Sequence, residues 1–240
     1  MRRFLSVVVP VLVTALAGHS VPSGAQDSGK VVMPFNGKDL GGWKLKGKAD
    51  KSKWTVGLAT LDDKNPSKLI VAPFSPSANK TAQLVNASGG GVDIYTEQKF
   101  RDCVIDLEFM VPKGSNSGIY VMGEYEVQIL DSYGRAKVGP GDLGGLYGAS
   151  APRVNAAKKP GEWQRFVIDF QAPRFENGKR TALAKFIKIT LNDQVIHENV
   201  EMKGPTPSGV TGKESPEGGS VMFQGDHGPV AFRNIKVTMK

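Results

Sequence analysis

The 240-residue sequence predicts an all-β protein, a sandwich of two stacked antiparallel sheets. Short runs rich in Val, Ile, Phe and Thr alternate apolar and polar residues with the period of a half-buried strand. Clusters of Gly, Pro, Asn and Asp separate these runs, as turns would. Heptads and long amphipathic helical patterns are missing.

At the N-terminus, Arg2 and Arg3 precede the apolar run FLSVVVPVLVTALAG, and Ser23 and Ala25 stand at the small-residue positions that a signal peptidase reads. Residues 1–25 therefore read as a secretory signal peptide, 26–33 as a flexible segment and 34–240 as one β-sandwich domain. No later run is apolar for long enough to span a bilayer, and no Cys near the cleavage point offers a lipid anchor. A periplasmic or secreted protein is expected. Strands are then expected, in order, at WKLK, KWTVGLATL, KLIVA, VDIYTEQKF, CVIDLEFMV, SGIYVMG, YEVQILD and QRFVIDFQA, and finally at SVMFQGD and VAFRNIKVTMK. Between the last two groups, KFIKIT and VIHENV form a hairpin with Asn192 and Asp193 at its turn. The long connections 131–163 and 203–220 carry little pattern of their own, which marks them as lids or disordered loops.

Composition narrows the function. The formal charge is +8 and falls to +6 once Arg2 and Arg3 are removed. Much of the excess lies in KLKGKADKSK, which reads as a solvated face, and no nucleic-acid-binding module accompanies it. Cys103 is the only cysteine, so the core must hold without an intrachain disulfide, and its place at the head of an apolar strand predicts a buried, inert thiol.

The segment GEYEVQILDSYG carries the chemistry. Tyr125, Val127 and Ile129 alternate with Glu124, Glu126 and Gln128, which gives one apolar face and one face with two carboxylates and an amide. Asp131 would join that face if a single bulged residue lay between it and Gln128. The spacing E-x-Q-x-x-D then resembles the E-x-D-x-x-E motif of retaining jelly-roll β-glucanases, with Gln in place of the middle Asp. In CVIDLEFMV, Asp106 and Glu108 likewise oppose Ile105, Leu107 and Phe109.

A wider resemblance rests on five ordered motifs: FNGKDLGGW, SNSGIYVMGEYEVQILDSYG, GGLYGASAPRVNAAKKPGEWQRFVI, LNDQVIHENV and QGDHGPVAFRNIKV. Together they resemble the 3-keto-disaccharide hydrolase family from about Pro34 to Lys240. The resemblance implies a concanavalin A-like jelly-roll sandwich of two curved antiparallel sheets, and an oligosaccharide or glycoside substrate oxidised at C3 of the non-reducing sugar. On such a substrate a general base can remove the proton at C2, so that the C1 aglycone leaves by β-elimination and water then adds. Glu126 and Asp131 are the candidates for base and acid.

His227, between Gly225 and Gly228 in a family motif, is a third catalytic candidate, as acid, base or metal ligand. Asn116 and Gln128 could hold sugar hydroxyls, and Glu108 and Glu124 add acids to the substrate-binding set. Arg233 could hold the enolate oxygen or form a structural ion pair with Asp106, Glu108 or Asp226. Tyr120 and Tyr147, with Tyr125 and Tyr133, could stack on sugar rings or pack, while Trp43, Trp54 and Trp163 are assigned to the core. His197 reads as packed or solvent-facing. The pattern requires no cofactor; with His19 in the signal peptide, the two remaining histidines exclude a three-His zinc site, and His227 with carboxylate oxygens could hold a harder divalent metal. The competing function is a non-catalytic, lectin-like carbohydrate-binding module.

Overall fold

The computed structural model describes residues 28–75 and 80–240, so the expected signal peptide lies outside the described residues. In chain order the strands are β1 (Val31–Val32), β2 (Trp43–Lys46), β3 (Trp54–Asp62), β4 (Asn65–Ala72), β5 (Gln83–Asn86), β6 (Asp93–Thr96), β7 (Cys103–Met110) and β8 (Asn116–Val121). They continue as β9 (Tyr125–Leu130), β10 (Gln164–Gln171), β11 (Arg174–Glu176), β12 (Lys179–Ala182), β13 (Ala184–Leu191), β14 (Gln194–Met202), β15 (Met222–Phe223) and β16 (Val230–Met239). One sheet of nine strands runs β14-β13-β10-β7-β16-β5-β3-β4, with β1 beside β16. A second sheet of five runs β2-β6-β15-β8-β9, and β11 and β12 form a separate ribbon. No helix among the described residues is long and apolar enough to cross a membrane.

Strand alternation builds the core between the sheets. From the five-stranded sheet Ile94, Ile119, Tyr125, Val127, Ile129 and Phe223 point inward, and from the larger sheet Ile105, Leu107, Phe109, Phe166, Phe170 and Phe232 meet them in one cluster. Phe223 stacks on Phe232 at 3.9 Å between ring centroids, and Tyr125 packs on Phe170 at 5.6 Å, so the two layers are in direct contact. Each such side chain contributes about 1.5–3 kcal/mol by leaving water. Trp43 and Trp54 lie in this cluster, as does Cys103, whose thiol burial pushes up to about 12. A smaller cluster of Ala59, Leu69, Val85, Met110 and Ala231, with Trp163 against it, covers part of the opposite face of the large sheet.

The hairpin expected at LNDQV is present: Leu191 pairs with Gln194, and Asn192 and Asp193 both take positive φ, 50° and 66°. Those angles fit the right-handed twist of the flanking strands, and Asn and Asp tolerate them. Two features were not legible in the alternation. Strand β5, QLVN, is buried throughout because it runs between β16 and β3 in mid-sheet, so it has no polar face to show. The pattern also places residues 26–33 outside the domain, yet Val31 and Val32 pair with Thr238 and Val237, and the Gly29 N–H donates to the Met239 carbonyl at 2.7 Å.

Candidate active site

The outer face of the five-stranded sheet carries a polar cleft centred on Gly118. In this sheet β8 pairs in unbroken register with β9, Gly118 opposite Gln128 and Tyr120 opposite Glu126. On its other side β8 pairs with β15, Tyr120 opposite Met222, and the Gln224 N–H donates to the Gly118 carbonyl at 2.9 Å. Asn116 and Tyr120 therefore rise before and after Gly118 on one strand, with Gln128 and Gln224 on its two flanks. Glu126 leans over it: a β-carbon on Gly118 would come within 2.4 Å of Glu126 Oε1. The glycine is needed as a floor.

Two loops and one turn complete a cleft of about 120 Å³, lined by Asn116, Tyr120, Glu126, Gln128, Tyr147, Pro207, Ser208, Gln224 and His227. At about 30 Å³ per water this is room for roughly four waters. Tyr147 arrives on the segment 144–147, which pairs along the edge of β9: the Tyr147 N–H donates to the Glu126 carbonyl at 3.1 Å, and the Gln128 N–H to the Gly145 carbonyl at 2.8 Å. His197, buried in β14, holds the same segment through Nε2 and the Gly144 carbonyl at 2.8 Å. The wall at 206–208 is tied down by Thr206 Oγ1, which accepts from the Glu126 N–H at 3.0 Å, and by the Tyr120 hydroxyl donating to the Pro207 carbonyl at 3.1 Å.

His227 sits on the turn after β15. The turn is fastened by the Gly225 N–H to Asp93 Oδ1 at 3.0 Å, the Gly228 N–H to the Asn116 carbonyl at 2.7 Å and the Gly90 N–H to the His227 carbonyl at 3.0 Å. Gly89 makes room for it, since a β-carbon there would stand 2.3 Å from the His227 carbonyl oxygen. The imidazole stays half exposed, with Nδ1 2.5 Å from Asp226 Oδ1. A carboxylate beside Nδ1 favours a proton there and leaves Nε2 to take or give one.

Glu126 is the acid lining the cleft, 3% exposed. Burial pushes its carboxyl up to about 7; hydrogen bonding with Tyr120 and the nearby His227 oppose the rise, while Asp93 and Asp226 add to it. A carboxyl poised there exchanges protons readily near neutral pH. Gln128 Oε1 accepts the Ile129 N–H at 3.0 Å, so its amide nitrogen is what it offers a ligand.

Of the residues singled out in the sequence, Glu126, His227, Asn116, Gln128, Tyr120 and Tyr147 come together here. Four others do not. Asp131 stays off the cleft because the β8–β9 register continues without a bulge to Asn116 opposite Leu130; its carboxylate instead accepts the Gly114 N–H at 2.9 Å and the Tyr133 N–H at 3.3 Å. Glu124 lies in the turn just before β9 and is a buried clamp: it accepts from the Thr211 N–H and hydroxyl at 2.9 and 2.7 Å and from the Gly212 N–H at 2.9 Å. Glu108 and Arg233 lie across the sandwich on the outer face of the large sheet, bonded to each other at 2.6 Å, with the guanidinium 4.0 Å above the Trp163 ring. Period-two alternation told which residues share a face, not which sheet the face belongs to. Gln224, Pro207 and Ser208 went unrecognised, although Gln224 alternates with the inward Phe223 in the run SVMFQGD. Among the described residues no group of three or more His, Cys, Asp or Glu converges as a set of metal ligands.

A model of the 3-keto-alpha-glucoside-1,2-lyase-like domain matches residues 31–238, which contain the whole cleft and every strand but the last residue of β16. The chain belongs to this family. A 3-keto-disaccharide hydrolase of Bacteroides thetaiotaomicron is 27% identical over 169 residues, covering 59% of this chain and 53% of that protein; the chain thus spans about half the length of this curated relative. A provisionally named glycosyl hydrolase of Parabacteroides distasonis has the same fold at a TM-score of 0.66 and 28% identity, with 88% of this chain and 84% of that one covered. A second from the same organism matches at 0.59 and 17% identity, over 88% and 94% of the two chains, and bears on fold alone. These relationships establish the jelly-roll sandwich, and the relatives named are carbohydrate-active.

Proposed function

We propose that the protein cleaves 3-keto-glycosides by base-driven β-elimination followed by hydration, with Glu126 as the base. One observation carries this reading: the cleft is lined by a single carboxyl, and that carboxyl is held near 7. Direct glycoside hydrolysis by the two-carboxylate route needs a partner acid, about 5 Å away for retention or 6.5–9.5 Å for inversion. Asp131, the partner that the spacing suggested, caps turns elsewhere. A ketone at C3 removes the need for that partner, because it acidifies the proton on C2.

In the proposed reaction Glu126 takes the C2 proton, the electron pair moves into a C2–C3 enolate, and the C1–O bond breaks as the enolate collapses to a C1–C2 enone. His227 Nε2, at the rim, is placed to protonate the departing oxygen, and the Gln128 amide N–H to donate to the enolate oxygen. Water then adds at C1 and passes a proton to His227 Nε2, while the proton on Glu126 returns to C2, so that both side chains are restored and the net change is hydrolysis. Burial of the base excludes bulk water and strengthens these interactions. The family description and the name of the Bacteroides relative support the 3-keto substrate class. Incubation of the purified protein with a 3-keto-disaccharide, and with a 3-keto-aryl glucoside, is expected to release the aglycone; failure to turn over either would sink the reading. The same proposal puts the protein outside the cytoplasm on the strength of its N-terminal segment, with a mature N-terminus at Gln26 that sequencing of the exported chain would check.

A further inference from the structure

We propose that the side-chain oxygens of Asn116 and Gln224 form a paired acceptor that reads two hydroxyl donors of the sugar ring, and thereby fixes where on the ring the ketone can sit. The inference rests on the 3-keto-glycoside reading of the cleft. Asn116 Oδ1 and Gln224 Oε1 are buried, and no protein group donates to either. Both residues line the cleft. Buried amides elsewhere are engaged: Asn86 donates to the Gly225 carbonyl and accepts from the Gly89 N–H, Gln83 accepts from the Ala59 N–H, and Gln164 accepts from the Lys158 N–H and the Asn192 amide. The orphaned acceptors are therefore concentrated at one place, the floor around Gly118. An unsatisfied buried acceptor is costly to keep, so its persistence calls for a reason, and a ligand donor supplies one.

The main chain fixes both amides. The Gln224 N–H is bonded to the Gly118 carbonyl and the Gly228 N–H to the Asn116 carbonyl, so β15 and its turn are pinned to β8 on either side of the floor. What the pair can read follows from polarity. A hydroxyl donates to an amide oxygen, whereas a ketone only accepts and a carbon-bound fluorine donates nothing. A ring that turned its ketone toward either amide would set acceptor against acceptor. A ring with hydroxyls at both positions instead presents its ketone to the donor on the other flank, the Gln128 amide N–H.

The test uses a 3-keto-glucoside and three analogues in which the hydroxyl at C2, C4 or C6 is replaced by fluorine. Wild-type kcat/KM is expected to fall tenfold or more for two of the three, as sites built around a substrate hydroxyl reject analogues lacking it. In Gln224→Met the penalty for one of those analogues should shrink to within about twofold, and in Asn116→Leu the penalty for the other; the comparison between proteins cancels the inductive effect of fluorine. Because Gln224→Met removes an orphaned acceptor, it is expected to unfold at the same temperature as wild type or higher. Turnover of the parent sugar with no discrimination among the analogues would overturn the paired acceptor and leave the 3-keto reading standing. Absence of turnover would overturn that reading and the inference with it. A clear fall in the Tm of Gln224→Met would show that the fold already satisfies the amide and would also overturn it. Should Asn116→Leu fail to fold, the wild-type series and Gln224→Met decide.

Discussion

Replacing Glu126 by Gln tests the chemistry and the electrostatics of the cleft together. The carboxyl moves from an ordinary 4.5 to about 7 on folding, chiefly because burial disfavours its charged form. A folded-state value above the unfolded one means that stability is complete below about pH 4.5, where both states are protonated. It is lost progressively between 4.5 and 7, where only the unfolded chain ionises, and stays lost above 7. The gap corresponds to at most about 3 kcal/mol. Glutamine keeps the shape and removes the ionisation, so Glu126→Gln should match wild type near pH 4 and exceed it by up to about 3 kcal/mol at pH 8, roughly 6–12 °C in Tm for a domain of this size. Urea unfolding followed by tryptophan fluorescence from pH 4 to 8.5 measures the difference. In the same samples wild-type kcat/KM should rise about tenfold per pH unit up to 7 and then level, while the variant loses a hundredfold or more of kcat. Equal stabilities at every pH would refute the raised carboxyl, and a loss of activity below about threefold would remove Glu126 from the mechanism.

Other perturbations separate the cleft from the scaffold. His227→Ala removes a half-exposed side chain and should cost less than about 1 kcal/mol of stability while turnover collapses; unfolding or unchanged activity would make the residue structural. Arg233→Ala should do the reverse, losing about 1–2 kcal/mol from the Trp163 contact and the Glu108 pair with kcat/KM within twofold of wild type, and a tenfold kinetic loss in a folded protein would show that the site has been placed on the wrong sheet. Gly118→Ala puts a methyl group where Glu126 Oε1 now lies, so kcat should drop at least tenfold with little change in Tm, because the far end of a side chain moves more cheaply than the strand. Steady-state kinetics and thermal unfolding on the same preparations check all three.

Much of this arrangement was legible in the sequence because strand alternation is a local property. The inward Tyr125, Val127 and Ile129 of β9, the outward Glu126 and Gln128, and the positive-φ turn at Asn192 and Asp193 follow from residue order alone. Joining Asp131 to the polar face required a bulge that β9 does not have, and its short carboxylate found local N–H donors at the turn instead. Glu108 and Arg233 looked like further site residues because their strands also alternate, but β7 and β16 belong to the other sheet, and sheet membership depends on long-range pairing. Gln224 was missed for a related reason. Strand β15 is two residues long, too short for a periodic signal, and only its pairing with β8 at Tyr120 and Ile119 puts Gln224 beside the floor.

The contrast between Glu124 and Glu126 shows where the sequence stops determining chemistry. They are two residues apart, Glu124 in the turn before β9 and Glu126 within the strand, and both are almost wholly buried. Glu124 meets the loop 211–212, whose two N–H groups and one hydroxyl donate to its oxygens, and it becomes the clamp that holds this loop against the sheet. Glu126 meets a cleft instead, where Tyr120 divides its hydroxyl between the carboxyl and the Pro207 carbonyl, and the remaining neighbours are a half-exposed imidazole and the open floor of Gly118. Three donors converge on Glu124, whereas Glu126 is buried with few of them, and burial lets its carboxyl hold the proton up to about 7. The clamp also builds the difference, because the loop it fastens continues from Pro207 and Ser208, which wall the cleft and keep water from Glu126. Loosening Glu124 should therefore act on catalysis through the wall, letting water reach Glu126 and returning its carboxyl toward 4.5, with the midpoint of the pH–rate profile falling as it does.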